Sequence, residues 1–331
     1  MSTSQLNTPS GTKTLGKFDL LAYLQIARPD HWFKNIFVIP GIILGFFFYP
    51  HQLEVFSFGD IILSLIATCL IASSNYVLNE ILDAPSDLHH PLKHARPIPS
   101  GRVSLPIAYL EWLVLAAIGF YISFSFSVYL GSACLALWIM GIVYNVPPLR
   151  TKDVPYLDVL SESVNNPLRL AIGWYATGLG SIPPLSVILA YWMFGAYLMA
   201  VKRFAEFRTI GDPALAGQYR SSFKFYDEKR LLISIIFYVS LFAMFAAVFL
   251  TRYRLELLLA APITAYALAY YLELGFRKHS PVEHPEGLYK EPLLMFIVAL
   301  NVLVVAVLFF VDIPIIQDLI HPWHLPPHPP H

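Results

Sequence analysis

The sequence predicts an all-α membrane protein, a polytopic bundle of about nine transmembrane helices, and three observations point that way. Of the 331 residues, 56% are hydrophobic and only 13% charged, against roughly 25% charged in an ordinary soluble domain. The apolar residues gather in runs long enough to cross a bilayer, which takes about 20 residues per helix. The basic residues, in turn, fall on alternate connections between those runs, 19 of the 22 on one side.

Residues 1–17 are rich in Ser, Thr and Asn without an apolar core, so they read as a disordered tail and not as a cleaved signal. The patterned stretch 18–32 suits the membrane interface. Spans are then expected at 35–49, 59–78, 105–126, 127–146, 157–177, 182–201, 231–250, 254–274 and 293–312, the first of them short and holding Pro40. Residues 18–313 thus make a single integral-membrane catalytic domain. Residues 314–331 make an external tail whose prolines, between His321, His324, His328 and His331, favour an extended polyproline-like chain.

Short cytoplasmic loops collect Lys and Arg. Lys13, Lys17, Arg28 and Lys34 precede the first span, Lys93, Arg96 and Arg102 follow the second, and Arg150 and Lys152 follow the fourth. Seven more lie between 202 and 230, and Arg277, Lys278 and Lys290 follow the eighth. Only Arg252 and Arg254 fall on the other side, and Arg169 lies within a span. The N-terminus is therefore expected in the cytoplasm and the C-terminus outside, in the cell (inner) membrane, with the chemistry on the cytoplasmic face, where the connections 79–104, 147–156 and 202–230 are long and dense in charge.

Composition excludes several classes. Twenty-two basic against 22 acidic residues give no net charge, hence no nucleic-acid surface. Cys69 and Cys134 sit in apolar runs and build neither a disulfide framework nor a thiolate cage. There is no Gly-rich phosphate loop and no Ser/His/Asp arrangement. His89, His90 and His94 lack a fourth ligand for zinc.

The first dense connection carries Asn79, Asp83 and Asp87 at i, i+4 and i+8, which a continuing helix would place on one face. Two carboxylates and an amide suit Mg²⁺, which takes its remaining ligands from water and substrate phosphate. Pro85 argues for an unwound turn at Asp87. Lys93 and Arg96 are near enough to grip the other diphosphate oxygens, Arg as a bidentate fork. Taken alone, the spacing is equally that of a polar loop with helix-end carboxylates.

The second connection brings Tyr144, Arg150, Lys152, Asp153 and Asp158 together. Arg150 and Lys152 beside Asp153 and Asp158 read as phosphate grips and a second metal or ribose-hydroxyl contact, with Asp158 a catalytic carboxylate, beside the simpler reading of Asp158 as a helix-start carboxylate stabilised by the dipole. Arg169, lone on an apolar helix, must face the bundle interior and find an anion: Glu162, Asp158 or a lipid phosphate.

Asn79, Asp83 and Asp87, followed by the run Arg-Pro-Ile-Pro-Ser-Gly at 96–101, resemble the first aspartate-rich motif of the UbiA superfamily of intramembrane prenyltransferases. The resemblance spans nearly the whole chain and implies a bundle of about nine helices, with Mg²⁺ and a donor diphosphate on those three residues. Glu80 departs from it, since Asp often follows the Asn in that superfamily. The 144–158 region also resembles the superfamily's tyrosine–lysine–aspartate region.

The runs at 28–35, with Lys34, and at 90–97 are similar to the decaprenyl-phosphate phosphoribosyltransferase branch, as is Lys202-Arg203-Phe-Ala-Glu206. That resemblance implies transfer of a phosphoribosyl group from phosphoribosyl pyrophosphate to a polyprenyl phosphate, with Lys202, Arg203 and Glu206 where other members carry a second aspartate-rich motif. Alone, Lys202 and Arg203 would read as a cytoplasmic anchor at a helix end. An ordinary prenyl transfer to an aromatic acceptor and a transporter are the competing classes; the first expects acidic residues spaced D-x-x-x-D in 202–230, and none is there. The transporter expects an inverted repeat and a mid-helix proton relay, and neither is visible.

Overall fold

A computed structural model describes residues 19–55, 57–88 and 93–316. The expected tail 1–17, His89, His90 and the His/Pro-rich stretch from 317 onward lie outside the described residues. Among the described residues there is no strand, and eight helical segments are long and apolar enough to cross a membrane.

The first of these, Leu20–Phe48, is composite. Helix α1 (Leu20–Ala27) ends at Arg28, whose φ of 50° is left-handed, and a 3-10 stretch, Pro29–Val38, leads into α2 (Ile39–Phe48). The interfacial stretch and the short first span expected from the sequence are therefore one segment, redirected at Arg28 and Pro29. A short turn, α3 (Gln52–Val55), precedes α4 (Phe58–Asp87). Helices α5 (Leu105–Phe126) and α6 (Val128–Asn145) pack against α4.

The expected span 157–177 is a pair of helices interrupted at Val164, α7 (Leu157–Ser163) and α8 (Asn165–Ala176). Pro167 in the first turn of α8 has no N–H to give, and neither piece alone reaches across the roughly 30 Å of hydrocarbon. Helix α9 (Leu185–Ile210) is followed by the short α10 (Pro213–Tyr219) and by α11 (Glu228–Tyr253), which lies along α9. Helices α12 (Ala261–Phe276) and α13 (Pro292–Phe310) complete the bundle.

Two helices run past their expected ends. Helix α4 continues through Pro85 to Asp87, and α9 continues to Ile210, so the polar residues of both connections ride on helix. Pro85 is exposed and stands two residues from the end, where only its own N–H is missing and the outward face leaves room for the ring. The unwound turn expected at Asp87 is thus a last helical turn.

Glycine sets the closest crossing. A Cβ on Gly41 would overlap the Leu170 carbonyl, and one on Gly173 the Val38 carbonyl, so α2 and α8 meet backbone to backbone. This crossing fixes Asn35 against Arg169. Large apolar side chains such as Phe237, Met244, Val302 and Leu303 point outward from α11 and α13, as a bilayer requires. The protein is an integral membrane protein.

Candidate active site

The last turns of α4 carry Asn79, Asp83 and Asp87 on one face. Asp87 is buried, and its Oδ2 accepts from Arg96 Nη1 at 2.7 Å. Asp83 Oδ1 accepts from Lys152 Nζ and from Arg150 Nη2, the latter at 3.2 Å. Oδ2 of Asp83, Oδ1 of Asp87 and the Asn79 amide take no hydrogen bond among the described residues. Three oxygens on one helical face are therefore available, and this donor set fits a Mg²⁺ that completes its shell with water and phosphate. Glu80 points elsewhere: its Oε1 accepts the Ile98 amide at 3.1 Å and ties the turn that follows Arg96 to α4.

The cations around this face come from two loops. Arg150, held in a left-handed turn with φ 28°, spreads its guanidinium over Asp153 (2.7 Å), the Asn145 carbonyl (3.3 Å) and Asp83. Lys152 is buried between Asp83 and the Asn145 Oδ1 at 2.8 Å. Burial pulls its ammonium below the ordinary lysine value, with the Asp83 carboxylate opposing. Lys93, its Nζ 5.0 Å over the Tyr219 ring, is lowered by burial too, against the pull of Asp87.

A second cluster gathers on α7 and α9. Arg203 is 2% exposed and donates to three carboxylates: Nε to Asp158 (3.4 Å), Nη2 to Glu162 (3.0 Å) and Nη1 to Glu206 (2.9 Å). Asp158 also accepts from Ser222 and Tyr226, at 3.1 and 2.8 Å, and is wholly buried. Tyr144 donates its hydroxyl to Glu162 at 2.9 Å, and Lys202 lies 3.9 Å from Glu206. Arg220, beside Tyr144, has a buried Nε with no partner among the described residues. Burial works against the Arg220 charge, yet the neighbouring groups hold its pKa above the ordinary arginine value.

A third group is basic, with acids near it but none in ion-pair contact among the described residues. Arg28 and Lys34 stand 5.8 and 6.0 Å from the Tyr76 ring. Arg169, 8% exposed, donates Nε to Asn35 Oδ1 at 2.9 Å and Nη1 to the Asn165 carbonyl at 3.4 Å. Among the described residues none of these three cations has a carboxylate within 4.0 Å. Nearby Glu286 is pushed up by burial, but its own backbone amide and the charges of Lys202, His31 and Lys34 outweigh that and hold it low.

Most residues expected at the site do meet. Asn79, Asp83, Asp87, Lys93, Arg96, Arg150 and Lys152 form one cluster, and Tyr144 joins it to the next, since the adjoining Asn145 receives Lys152. Three expectations need correction. Asp158 is not beside Arg150 and Lys152 but sits with Arg203, its oxygens occupied. Arg203 gives each of its three nitrogens to a protein carboxylate and reads as their counter-charge, not primarily as a phosphate grip. Arg169 pairs with Asn35 and not with Glu162 or Asp158. Sequence reading also passed over Asn145 and Arg220 and gave Glu162 only as a partner for Arg169. An ionisable residue at membrane depth is a signal by itself, and Glu162 carried it; Asn145 and Arg220 carried none.

The sequence pattern of the UbiA prenyltransferase family matches residues 37–300. The nodulation protein NoeC of Azorhizobium caulinodans is 29% identical over 206 residues, which cover 61% of this chain and 64% of that protein. The decaprenyl-phosphate phosphoribosyltransferase of Corynebacterium glutamicum is 28% identical over 189 residues, 55% of this chain and 54% of that one. The chain thus spans between half and two thirds of the length of these relatives. A UbiA homologue from Archaeoglobus fulgidus, solved with GPP and Mg²⁺, superimposes with a TM-score of 0.65 at 20% identity, over 86% of this chain and 99% of the other.

Proposed function

Because the chain belongs to the UbiA prenyltransferase family, a family of membrane transferases, we propose that it moves a phosphoribosyl group from phosphoribosyl pyrophosphate to a polyprenyl phosphate. The observation that carries this reading is the set Arg28, Lys34 and Arg169, none of which has a carboxylate within 4.0 Å among the described residues. Transfer of a prenyl group to an uncharged acceptor needs one diphosphate site, which the α4 carboxylates and Lys93, Arg96, Arg150 and Lys152 already make. A second basic set, buried at Arg169, half-buried at Arg28 and Lys34 and with no carboxylate within 4.0 Å among the described residues, suits further phosphate. The proposed pair of substrates brings it: the donor carries a 5-phosphate besides its diphosphate, and the acceptor is itself a phosphate. The relative in Corynebacterium glutamicum bears that name.

Asn79, Asp83 and Asp87 would hold Mg²⁺, as the archaeal homologue with bound Mg²⁺ supports. When bound, the ion offsets charge on the departing pyrophosphate. The rest falls to side chains. Lys93, Arg96, Arg150 and Lys152 stabilise the one unit of negative charge that the leaving oxygen gains as it keeps the electron pair of the breaking ribosyl C1–O bond. An oxygen of the lipid phosphate forms the new bond to C1, and because that phosphate is already an anion no strong base is needed. Arg28, Lys34, Arg169 and Lys202 orient the second phosphate, and holding both reactants supplies much of the remaining barrier reduction.

The bilayer-facing bundle admits the polyprenyl tail from the side. Because the sequence assigns 19 of its 22 basic residues to the connections on the site's side of the membrane, that face is read as cytoplasmic, in the cell membrane. Membranes containing the protein are incubated with Mg²⁺, labelled phosphoribosyl pyrophosphate and polyprenyl phosphate. Label should enter a lipid only when all three are present. Turnover of a prenyl diphosphate instead, with no label in lipid, rejects the proposal.

A further inference from the structure

Three carboxylates converge on one guanidinium. Asp158 and Glu162 lie one turn apart on α7, Glu206 lies one turn beyond Arg203 on α9, and Arg203 gives a different nitrogen to each of the three. Asp158 is wholly buried and Glu206 nearly so. Carboxylates gathered this way away from water either take up protons or hold a cation. Here the chain supplies the cation itself, and a planar guanidinium with five donors serves three acceptors where an ammonium offers a point charge. The cluster is not remote from the chemistry. Glu162 receives the Tyr144 hydroxyl, and the next residue, Asn145, receives Lys152, which holds Asp83.

We infer that Arg203 stands where a divalent cation would otherwise sit among Asp158, Glu162 and Glu206. It is a built-in counter-cation that fixes Glu162 and Tyr144 and leaves the protein a single exchangeable metal, at the α4 carboxylates. Arg203 is a positioning residue: each of its three nitrogens donates to a protein carboxylate, and it acts through Glu162. The inference rests on the reading of Asn79, Asp83 and Asp87 as the metal–diphosphate site.

The test counts metal, with Mn²⁺ and inorganic pyrophosphate as probes on the full chain in nanodiscs, bound Mn²⁺ being measured by electron paramagnetic resonance. The wild type should bind one Mn²⁺ per chain. Arg203→Ala, which strips the cation and leaves three carboxylates, should bind two, and Glu162→Gln added to it should return the count to one. Arg203→Lys, which keeps the charge, should stay at one. Two Mn²⁺ in the wild type, or one in a monodisperse Arg203→Ala protein, overturns the inference. Should Arg203→Ala not fold, the wild-type count still decides, together with the Mg²⁺ dependence of turnover: first order agrees and second order refutes. Asp83→Asn should lose the wild-type ion. If it does not, while Arg203→Ala gains one, the fault lies in the reading of α4 and not in the role of Arg203.

Discussion

Replacing Arg169 with Met should leave the empty protein at least as stable while sharply weakening its hold on a phosphorylated substrate. Arg169 is 8% exposed, donates to Asn35 and to the Asn165 carbonyl, and has no carboxylate within 4.0 Å among the described residues. Losing hydrogen bonds from a charged donor costs about 1.5–3 kcal/mol. Against that, an unpaired buried charge carries a desolvation penalty of several kcal/mol, which the substitution removes. Methionine fills comparable space and adapts to it. The net change in the empty protein therefore runs from about zero to a gain of a few kcal/mol.

With substrate the sign reverses. A phosphate charge about 4 Å from the guanidinium is worth about 4 kcal/mol at an effective dielectric of 20, or up to roughly a thousandfold in affinity. Thermal unfolding of the purified protein, with and without phosphoribosyl pyrophosphate and a short-chain polyprenyl phosphate, reads both effects, and KM reads the second again. A Tm that drops by several degrees with unchanged KM values would refute the reasoning, because Arg169 would then be a paired structural residue.

Other outcomes follow from the same geometry. Asp83→Asn and Asp87→Asn should each lower turnover at least about 100-fold, the scale of losing a group that acts on transition-state charge, with normal amounts in the membrane by immunoblot. Raising the pH strips the Lys152 proton earlier than from an ordinary lysine, since burial lowers its pKa. The alkaline fall of kcat/KM should accordingly begin below the usual lysine range and move upward in Lys152→Arg. Glu80→Ala orphans the buried Ile98 amide at a cost of about 1–3 kcal/mol, and limited proteolysis should then cut the 93–102 turn faster than in Glu80→Gln. Gly41→Ala drives a methyl into the Leu170 carbonyl and separates α2 from α8. It should cost roughly 1–3 kcal/mol in unfolding, and activity should fall with it because Asn35 and Arg169 are set by that crossing.

The bundle was legible because the bilayer imposes two coarse rules, span length and charge asymmetry, that composition obeys. The face shared by Asn79, Asp83 and Asp87 was legible for a similar reason: within one helix, spacing is geometry. Where reading failed, the cause was local or long-range. The interruption at 164 was hidden in an apolar run, though Asn165, Asn166 and Pro167 mark it. Pro85 was read by its mean behaviour, while its exposed place near a helix end tolerates it. Which charges would pair was invisible, since Lys152 finds Asp83 across 69 residues and Arg203 finds Asp158 across 45. Charge pairing across the bundle depends on which faces the helices turn to one another, and nothing in the spacing of one segment records that.

The central claim is that the ribosyl 5-phosphate goes to lipid and the pyrophosphate goes to water. Phosphoribosyl pyrophosphate labelled at one position or the other, given to the purified protein with Mg²⁺ and polyprenyl phosphate, tests it in one assay. Phosphoribosyl transfer puts the 5-phosphate label in the organic phase and the pyrophosphate label in the aqueous phase, in equal amounts. Neither label in lipid, with a prenyl diphosphate consumed under the same conditions, would contradict it.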